Sequence, residues 1–173
     1  NKKLKEIYNK DQLTGIYNRI AFAETIAPSF ARYYREGVTC AVAFIDVDKF
    51  KAINDTYGHA TGDIVLKTVS RIIKNQLRDY DIAGRYGGEE FVILLPYTKL
   101  KEAKSVAERL RKAVENTKID ISKTHPDKMS VDVTISLGVA QYRGDDNFIE
   151  LADKALYKAK ETGRNKVITW EKE

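Results

Sequence analysis

The stretch Asp81-Ile-Ala-Gly-Arg-Tyr-Gly-Gly-Glu-Glu-Phe-Val-Ile-Leu-Leu95 decides how the chain folds. Asp81 to Tyr86 and Glu90 to Leu95 are two strand-like runs, and Gly87-Gly88 lies between them. Such runs around a Gly pair read as a β-hairpin. Upstream, Thr39 to Val47 is an apolar, β-rich run that ends in acidic residues. This is the pattern of a buried strand whose carboxyl end carries polar chemistry.

Further out, the hydrophobic period changes to that of helices. Asn18 to Glu36 carries Ile20, Phe22, Ile26 and Phe30 on one side, with Pro28 as an expected kink and Gly37 as a stop. Lys49 to Tyr57 reads as a short helix, Gly58 to Gly62 as a turn, and Asp63 to Leu77 as a helix facing Ile64, Val65, Val69, Ile72 and Ile73 inward. Leu100 to Val114 and Phe148 to Glu161 are helical, with Gly163 ending the second, while Ser130 to Ala140 and Lys166 to Trp170 are strands. Asn1 to Lys10 places Leu4, Ile7 and Tyr8 at helical spacing among charges, as at the end of an amphipathic helix from an upstream module. The order predicts an α/β (α+β sandwich) class: a central, mostly antiparallel sheet of about five strands flanked by helices, ferredoxin-like in its βαββαβ plan.

Composition bounds the alternatives. With 173 residues, 43% hydrophobic and 32% charged, the chain can bury one core and is short for two domains. The apolar runs Cys40 to Ile45 and Phe91 to Leu95 fall far below the roughly 20 residues of a membrane helix, and no basic-then-apolar leader opens the sequence. The single cysteine, Cys40, excludes internal disulfides and Cys-based zinc sites and fits a reducing, cytoplasmic setting. The net charge of +5 and pI near 9.1 suit phosphate-bearing partners. The basic residues are nevertheless spread among acidic ones as on a solvated surface, with a short cluster only in the first five residues.

The densest polar group is Asp46, Asp48, Asn54, Asp55 and Asp63, followed by Glu89 and Glu90 at the hairpin. Sheet pairing can bring carboxylates at a strand end and a hairpin tip together, which is what a hard cation such as Mg²⁺ requires. The plainer alternative is that they are solvated or cap helices. Gly87 and Gly88 let a turn bring its backbone against a ligand, or simply supply a tight turn at positive φ. Lys160 and Arg164, taken alone, are helix-terminal charges that complement the dipole.

The motif text separates these readings. Gly87-Gly-Glu-Glu-Phe91 resembles the signature of the GGDEF family of diguanylate cyclases in its Glu-for-Asp form. Asp11-Gln-Leu-Thr-Gly-Ile-Tyr-Asn-Arg19 resembles that family's opening motif. Phe44-Ile-Asp-Val-Asp-Lys-Phe-Lys-Ala-Ile-Asn-Asp-Thr-Tyr-Gly-His59 resembles its metal and nucleotide segment, and Ala152-Asp-Lys-Ala-Leu-Tyr-Lys-Ala-Lys-Glu-Thr-Gly-Arg-Asn165 its closing helix and loop. Together the motifs cover the chain from Asp11 on.

The resemblance implies a palm-type cyclase fold over 11–173, preceded at 1–10 by the end of a signalling or coiled-coil helix. It implies condensation of two GTP into cyclic di-GMP and two pyrophosphates across a homodimer, by attack of a ribose 3′-hydroxyl on an α-phosphate. Asp46, the Val47 carbonyl and Glu89 are implied ligands of two Mg²⁺ or Mn²⁺ ions per half-site, and Glu90 a candidate for assisting deprotonation or for a supporting role. Backbone amides around Lys49, Phe50 and Lys51, together with Lys160 and Arg164, would hold phosphates, Gly87 and Gly88 would bring the turn's backbone against the nucleotide, and Asn54 and Asp63 would meet the guanine edge. Without a ligand, Asp63 would be a helix N-cap. Arg78-Asp-Tyr-Asp81 stands where the family carries its RxxD product-inhibition site, with Arg109 as a further arginine there or a plain surface charge.

His59 is expected to close a turn, His125 to lie on the surface, and the aromatics to sit at core spacing without a stacking ladder, so no nucleic acid is expected as partner. The sensory module that would control the domain is absent from this sequence. Two rivals remain: a silent GGDEF receptor for GTP or cyclic di-GMP, disfavoured because the matched positions are all present, and another palm-type enzyme acting on ATP, against which Asp63 counts.

Overall fold

The computed structural model describes residues 1–144 and 147–171, so the expected domain of 11–173 includes 145, 146, 172 and 173 outside the described residues. The elements in order are α1 (Lys2–Asn9), α2 (Arg19–Arg35), β1 (Cys40–Val47), α3 (Phe50–Tyr57), α4 (His59–Gln76), β2 (Ile82–Arg85) and β3 (Glu90–Pro96). They continue with α5 (Leu100–Glu115), β4 (Ile119–Asp120), β5 (Ser130–Val131), β6 (Ile135–Gln141), α6 (Phe148–Glu161) and β7 (Val167–Thr169). Five strands form one sheet in the order β2-β3-β1-β6-β7, antiparallel except for the β6–β7 pair. The expected class is the observed one.

β1 is buried at every position because it lies in the middle of the sheet with helices on both faces. Ala41, Ala43, Ile45 and Val47 join the core under α4 and α5, with Val65, Val69, Ile73, Ala107 and Leu110. Cys40, Val42 and Phe44 join the core under α2 and α6, with Phe22, Phe30, Phe148 and Leu156. α6 comes so close to β6 that a Cβ at Gly138 would lie 2.0 Å from the Ala152 carbonyl oxygen. Burial pushes the Cys40 thiol up to about 12, which leaves it a small inert hydrophobe. Among the described residues no helix is long and apolar enough to cross a membrane.

Two expectations need correction. The five-residue turn over Gly58–Gly62 does not exist: Gly58, at φ +86°, both ends α3 and starts α4, so α4 begins at His59. One left-handed glycine is enough to redirect the chain. The expected strand from Ser130 to Ala140 is two strands. Ser130–Val131 pairs with β4, which has too few residues to show a period, and the chain joins the main sheet only from Ile135. α2 runs continuously through Pro28.

The α6–β6 contact sets a stability prediction. Gly138→Ala forces backbone against backbone and should destabilise the fold by about 3 kcal/mol, at the upper end for overpacking, whereas Gly88→Ala, with nothing within 4 Å of the added carbon, should leave it unchanged. Urea denaturation of the two variants measures the difference.

Candidate active site at the end of the central strand

The register of β1 against β3 puts Asp46 opposite Glu90, and the Val47 N–H donates to the Glu89 carbonyl at 3.1 Å. Strand pairing therefore brings together the carboxyl end of β1 and the turn of the β2–β3 hairpin. Asp46 is 6% exposed, and its Oδ2 accepts a hydrogen bond from Lys160 Nζ at 2.6 Å. Burial pushes its carboxyl up to about 6; Lys160 pulls it down, and the neighbouring Glu89 and Glu90 charges add to the rise.

Asp48, two residues on, has a different environment. Its carboxylate accepts from Thr134 Oγ1 at 2.7 Å, Ser136 Oγ at 2.6 Å and the Asn165 N–H at 3.0 Å. It ties the loop after β1 to β6 and to the loop after α6. It is separated from the acidic group of the sequence as a fastener, and Asp55 is exposed on α3.

The hairpin turn also differs in detail. Neither Gly87 nor Gly88 adopts positive φ. Space is the constraint at Gly87 instead: a Cβ there would lie 2.5 Å from Glu90 Oε2, the far end of a side chain that folds back over the turn, so a larger residue would displace the Glu90 carboxylate. From outside, Arg85 holds the turn: its Nε and Nη2 donate to the Gly88 carbonyl at 3.1 and 2.8 Å, and Nε to that of Gly87 at 3.2 Å. Arg85 Nη1 pairs with Asp11 at 3.2 Å, and Asp11 accepts from the N–H and hydroxyl of Thr14. From the sequence, neither Arg85 nor Asp11 receives a role, although Asp11 opens a quoted motif; a charged residue in a strand beside a glycine turn is the available signal for Arg85.

Beyond Asp48, Lys49 turns the chain at φ +55° and Phe50 packs into the core, so α3 opens with no side chain capping its first-turn N–H groups. Lys51 is exposed. Arg164, at φ +62°, is exposed in the loop after α6. With Lys49 it lines a cleft of about 690 Å³ whose wall includes Asp48, Thr134 and Asn165.

Asn54 meets Gly62, the neighbour of Asp63, across the α3–α4 elbow. The Asn54 Oδ1 is buried without a partner and rests where a Gly62 Cβ would be, 1.9 Å away, and Asp63 follows Gly62 and is exposed. Asp63 is the fifth residue of α4 and therefore not its N-cap. The elbow is supported by His125, whose Nδ1 lies 3.2 Å from the buried Thr61 hydroxyl and whose ring stands edge-on to Tyr57 at 5.4 Å. The expectation that His125 is merely at the surface is thus corrected, while His59 is exposed at the start of α4.

The RxxD residues lie at the other end of β2. Asp81 Oδ2 accepts the Arg78 N–H at 2.8 Å, while its Oδ1 is buried without a partner. Burial raises the Asp81 pKa, against the Arg78 N–H and the charges of Arg78 and Arg109. Arg109 reaches over from α5 and is anchored on Gln76 at 2.8 Å.

Among the described residues no three Asp, Glu, His or Cys side chains converge into a metal cage. Two carboxylates and a main-chain carbonyl are nevertheless an all-oxygen donor set. That set fits Mg²⁺ or Mn²⁺, which complete their shells with water and substrate phosphates.

The family model described as "Diguanylate cyclase, GGDEF domain" matches residues 8–166. Diguanylate cyclase A of Treponema denticola is 50% identical over 133 residues, covering 75% of this chain and 34% of that protein. The structure is similar to the GGDEF domain of DgcB from Caulobacter crescentus in complex with c-di-GMP (TM-score 0.89, 33% identity, covering 95% of this chain and 96% of that one). It is also similar to the active GGEEF domain of a diguanylate cyclase from Vibrio cholerae (TM-score 0.82, 31% identity, covering 94% and 100%). The chain spans less than half the length of the curated relatives it matches.

Asp46 supplies a prediction with a definite sign. Its folded value near 6 lies above the roughly 3.9 of an unfolded Asp, so the wild type gains stability as pH falls from 6 towards 4. In EDTA at pH 8, Asp46→Asn should melt at or above the wild-type temperature, with the gap closing between pH 6 and 4. Added Mn²⁺ should bind and stabilise only the wild type. A variant less stable at pH 8 would mean that the Lys160 pair outweighs the cost of burial.

Proposed function

The chain belongs to the GGDEF family of diguanylate cyclases, and from that membership we propose that it condenses two GTP into cyclic di-GMP, each domain of a homodimer presenting one nucleotide. The observation that carries this reading is the convergence of Asp46, Val47 and the Glu89–Glu90 turn at one buried strand end. Asp46, the Val47 carbonyl and Glu89 would hold Mg²⁺ or Mn²⁺. When bound, such ions neutralise charge on the phosphates and make the ribose 3′-hydroxyl more acidic.

The remaining steps belong to the chain's own groups. The uncapped N–H groups at the start of α3 and the charges of Lys160 and Arg164 receive the phosphates. Lys160 already stands on Asp46, so it is placed to pass from a carboxylate to a phosphate oxygen as the nucleotide enters. Glu90, folded over Gly87, is placed to accept a proton at the turn or to hold the turn's shape. The Asn54 Oδ1 and the Asp63 carboxylate accept from guanine N1–H and N2–H, a donor pair that adenine lacks. Two domains meet through the exposed Leu4, Ile7 and Tyr8 of α1. Arg78, Asp81 and Arg109 bind the accumulated product. A buried, inert Cys40 and a GTP substrate suit a cytoplasmic setting.

Incubation with GTP and Mg²⁺ followed by mass analysis tests the reading. Cyclic di-GMP should form, at a specific activity that rises with protein concentration, and ATP alone should give no product. Asp63→Ser should weaken the preference for GTP. Binding of GTP without turnover at any concentration would favour a silent receptor, and a rate independent of concentration in a verified monomer would remove the dimer.

A further inference from the structure

Two tyrosines beside the RxxD residues are placed in a way that packing does not require. The Tyr80 and Tyr97 rings are 47% and 60% exposed, and their centroids lie 5.9 Å apart at an interplanar angle of 87°. Tyr97 also meets the half-buried Tyr33 of α2 at 6.0 Å, so three rings follow one another along this end of the sheet. Arg78 is bound to the same patch, its Nη1 donating to the Tyr80 hydroxyl at 2.7 Å.

The backbone supplies an independent observation. Tyr97 has φ +56°, a left-handed conformation that Gly or Asn adopts readily and a bulky residue rarely does. Its neighbours fix it there. Pro96 ends β3, and Thr98 is buried with its N–H donating to the Thr39 carbonyl at 3.1 Å and its hydroxyl to that of Pro96 at 2.8 Å. Strained backbone that presents an aromatic ring to solvent is a cost to folding, and such costs gather at ligand sites.

Resting on the reading of Arg78 and Asp81 as a product site, we propose that Tyr80 and Tyr97 form the base-stacking part of that site and take a purine of a cyclic dinucleotide. Such a ligand offers phosphodiester anions, a guanine edge and a flat aromatic face. Arg78 answers the anion, and the unpartnered Asp81 Oδ1 answers the guanine donors. The perpendicular tyrosines answer the face, since a base lying on one ring meets the edge of the other. On binding, the Arg78 guanidinium leaves the Tyr80 hydroxyl for phosphate, which uncovers the Tyr80 ring.

The plainer alternative is that the rings only cover the open end of the β2–β3 pair, in which case they matter to stability and not to ligand. Calorimetric titration of cyclic di-GMP into the wild type, Tyr97→Gly, Tyr80→Leu and Arg78→Ala separates the cases, with urea denaturation of each protein alongside. Each tyrosine variant should bind roughly 5- to 150-fold more weakly, the range of base-on-aromatic stacking, while Tyr97→Gly, relieved of its strained φ, unfolds no earlier than the wild type. The guanine H8 resonance should shift upfield on the wild type and not on Tyr97→Gly. If Arg78→Ala loses affinity while both tyrosine variants keep the wild-type Kd, the stacking proposal is overturned and the RxxD reading stands. If all four proteins bind equally, or the wild type does not bind, both fall.

Discussion

Everything at the acidic end of the sheet depends on the register of β1 between β3 and β6. Side chains alternate along a strand, so a slip of one residue would turn Asp46 from the α6 side of the sheet to the α4–α5 side, away from Lys160. The register is held because β1 is buried on both faces: alternate residues fill two different hydrophobic layers, and either layer penalises a slip. A carboxylate can therefore be placed reproducibly at the strand end without a rigid loop to hold it. The metal-binding proposal stands on this placement.

The two aspartates at that end divide the work of being buried. A carboxylate removed from water must be bonded or lose its charge. Asp48 takes three hydrogen bonds and spends its acceptor capacity joining β6 and the loop after α6. Asp46 takes one among the described residues, from Lys160, which leaves most of its acceptor capacity unused. Burial is the main cause of its raised pKa, the Glu89 and Glu90 charges add to it, and the single Lys160 bond offsets only part of the rise.

The opening segment is joined to the same turn from outside. The Tyr17 N–H donates to the Ala83 carbonyl and its carbonyl accepts from the Arg85 N–H, so the segment covers the β2 edge. Asp11 meanwhile orients Arg85, and Arg85 grips the two glycine carbonyls. A few residues after α1, the chain is thus mechanically continuous with the signature turn.

The sequence alone was sufficient for the hairpin about Gly87-Gly88, for β1 and for the long helices, because each is written in a local period or a turn signal. Through the quoted motifs it also singled out Asp46, Glu89 and the Arg78–Asp81 pair as candidates. It misjudged what depends on a single backbone angle or on a distant partner. Gly58 replaced a five-residue turn, β4 was too short to show a period, and Gly87 leaves room for the Glu90 carboxylate without a positive φ. Only the tertiary structure separated Asp48 from Asp46, seated Asn54 against Gly62, set Lys160 on a carboxylate and aligned Tyr33, Tyr97 and Tyr80. These pairings join residues as many as 117 positions apart. No local pattern encodes them, because they arise only when helices close over the sheet and bring its strand ends together.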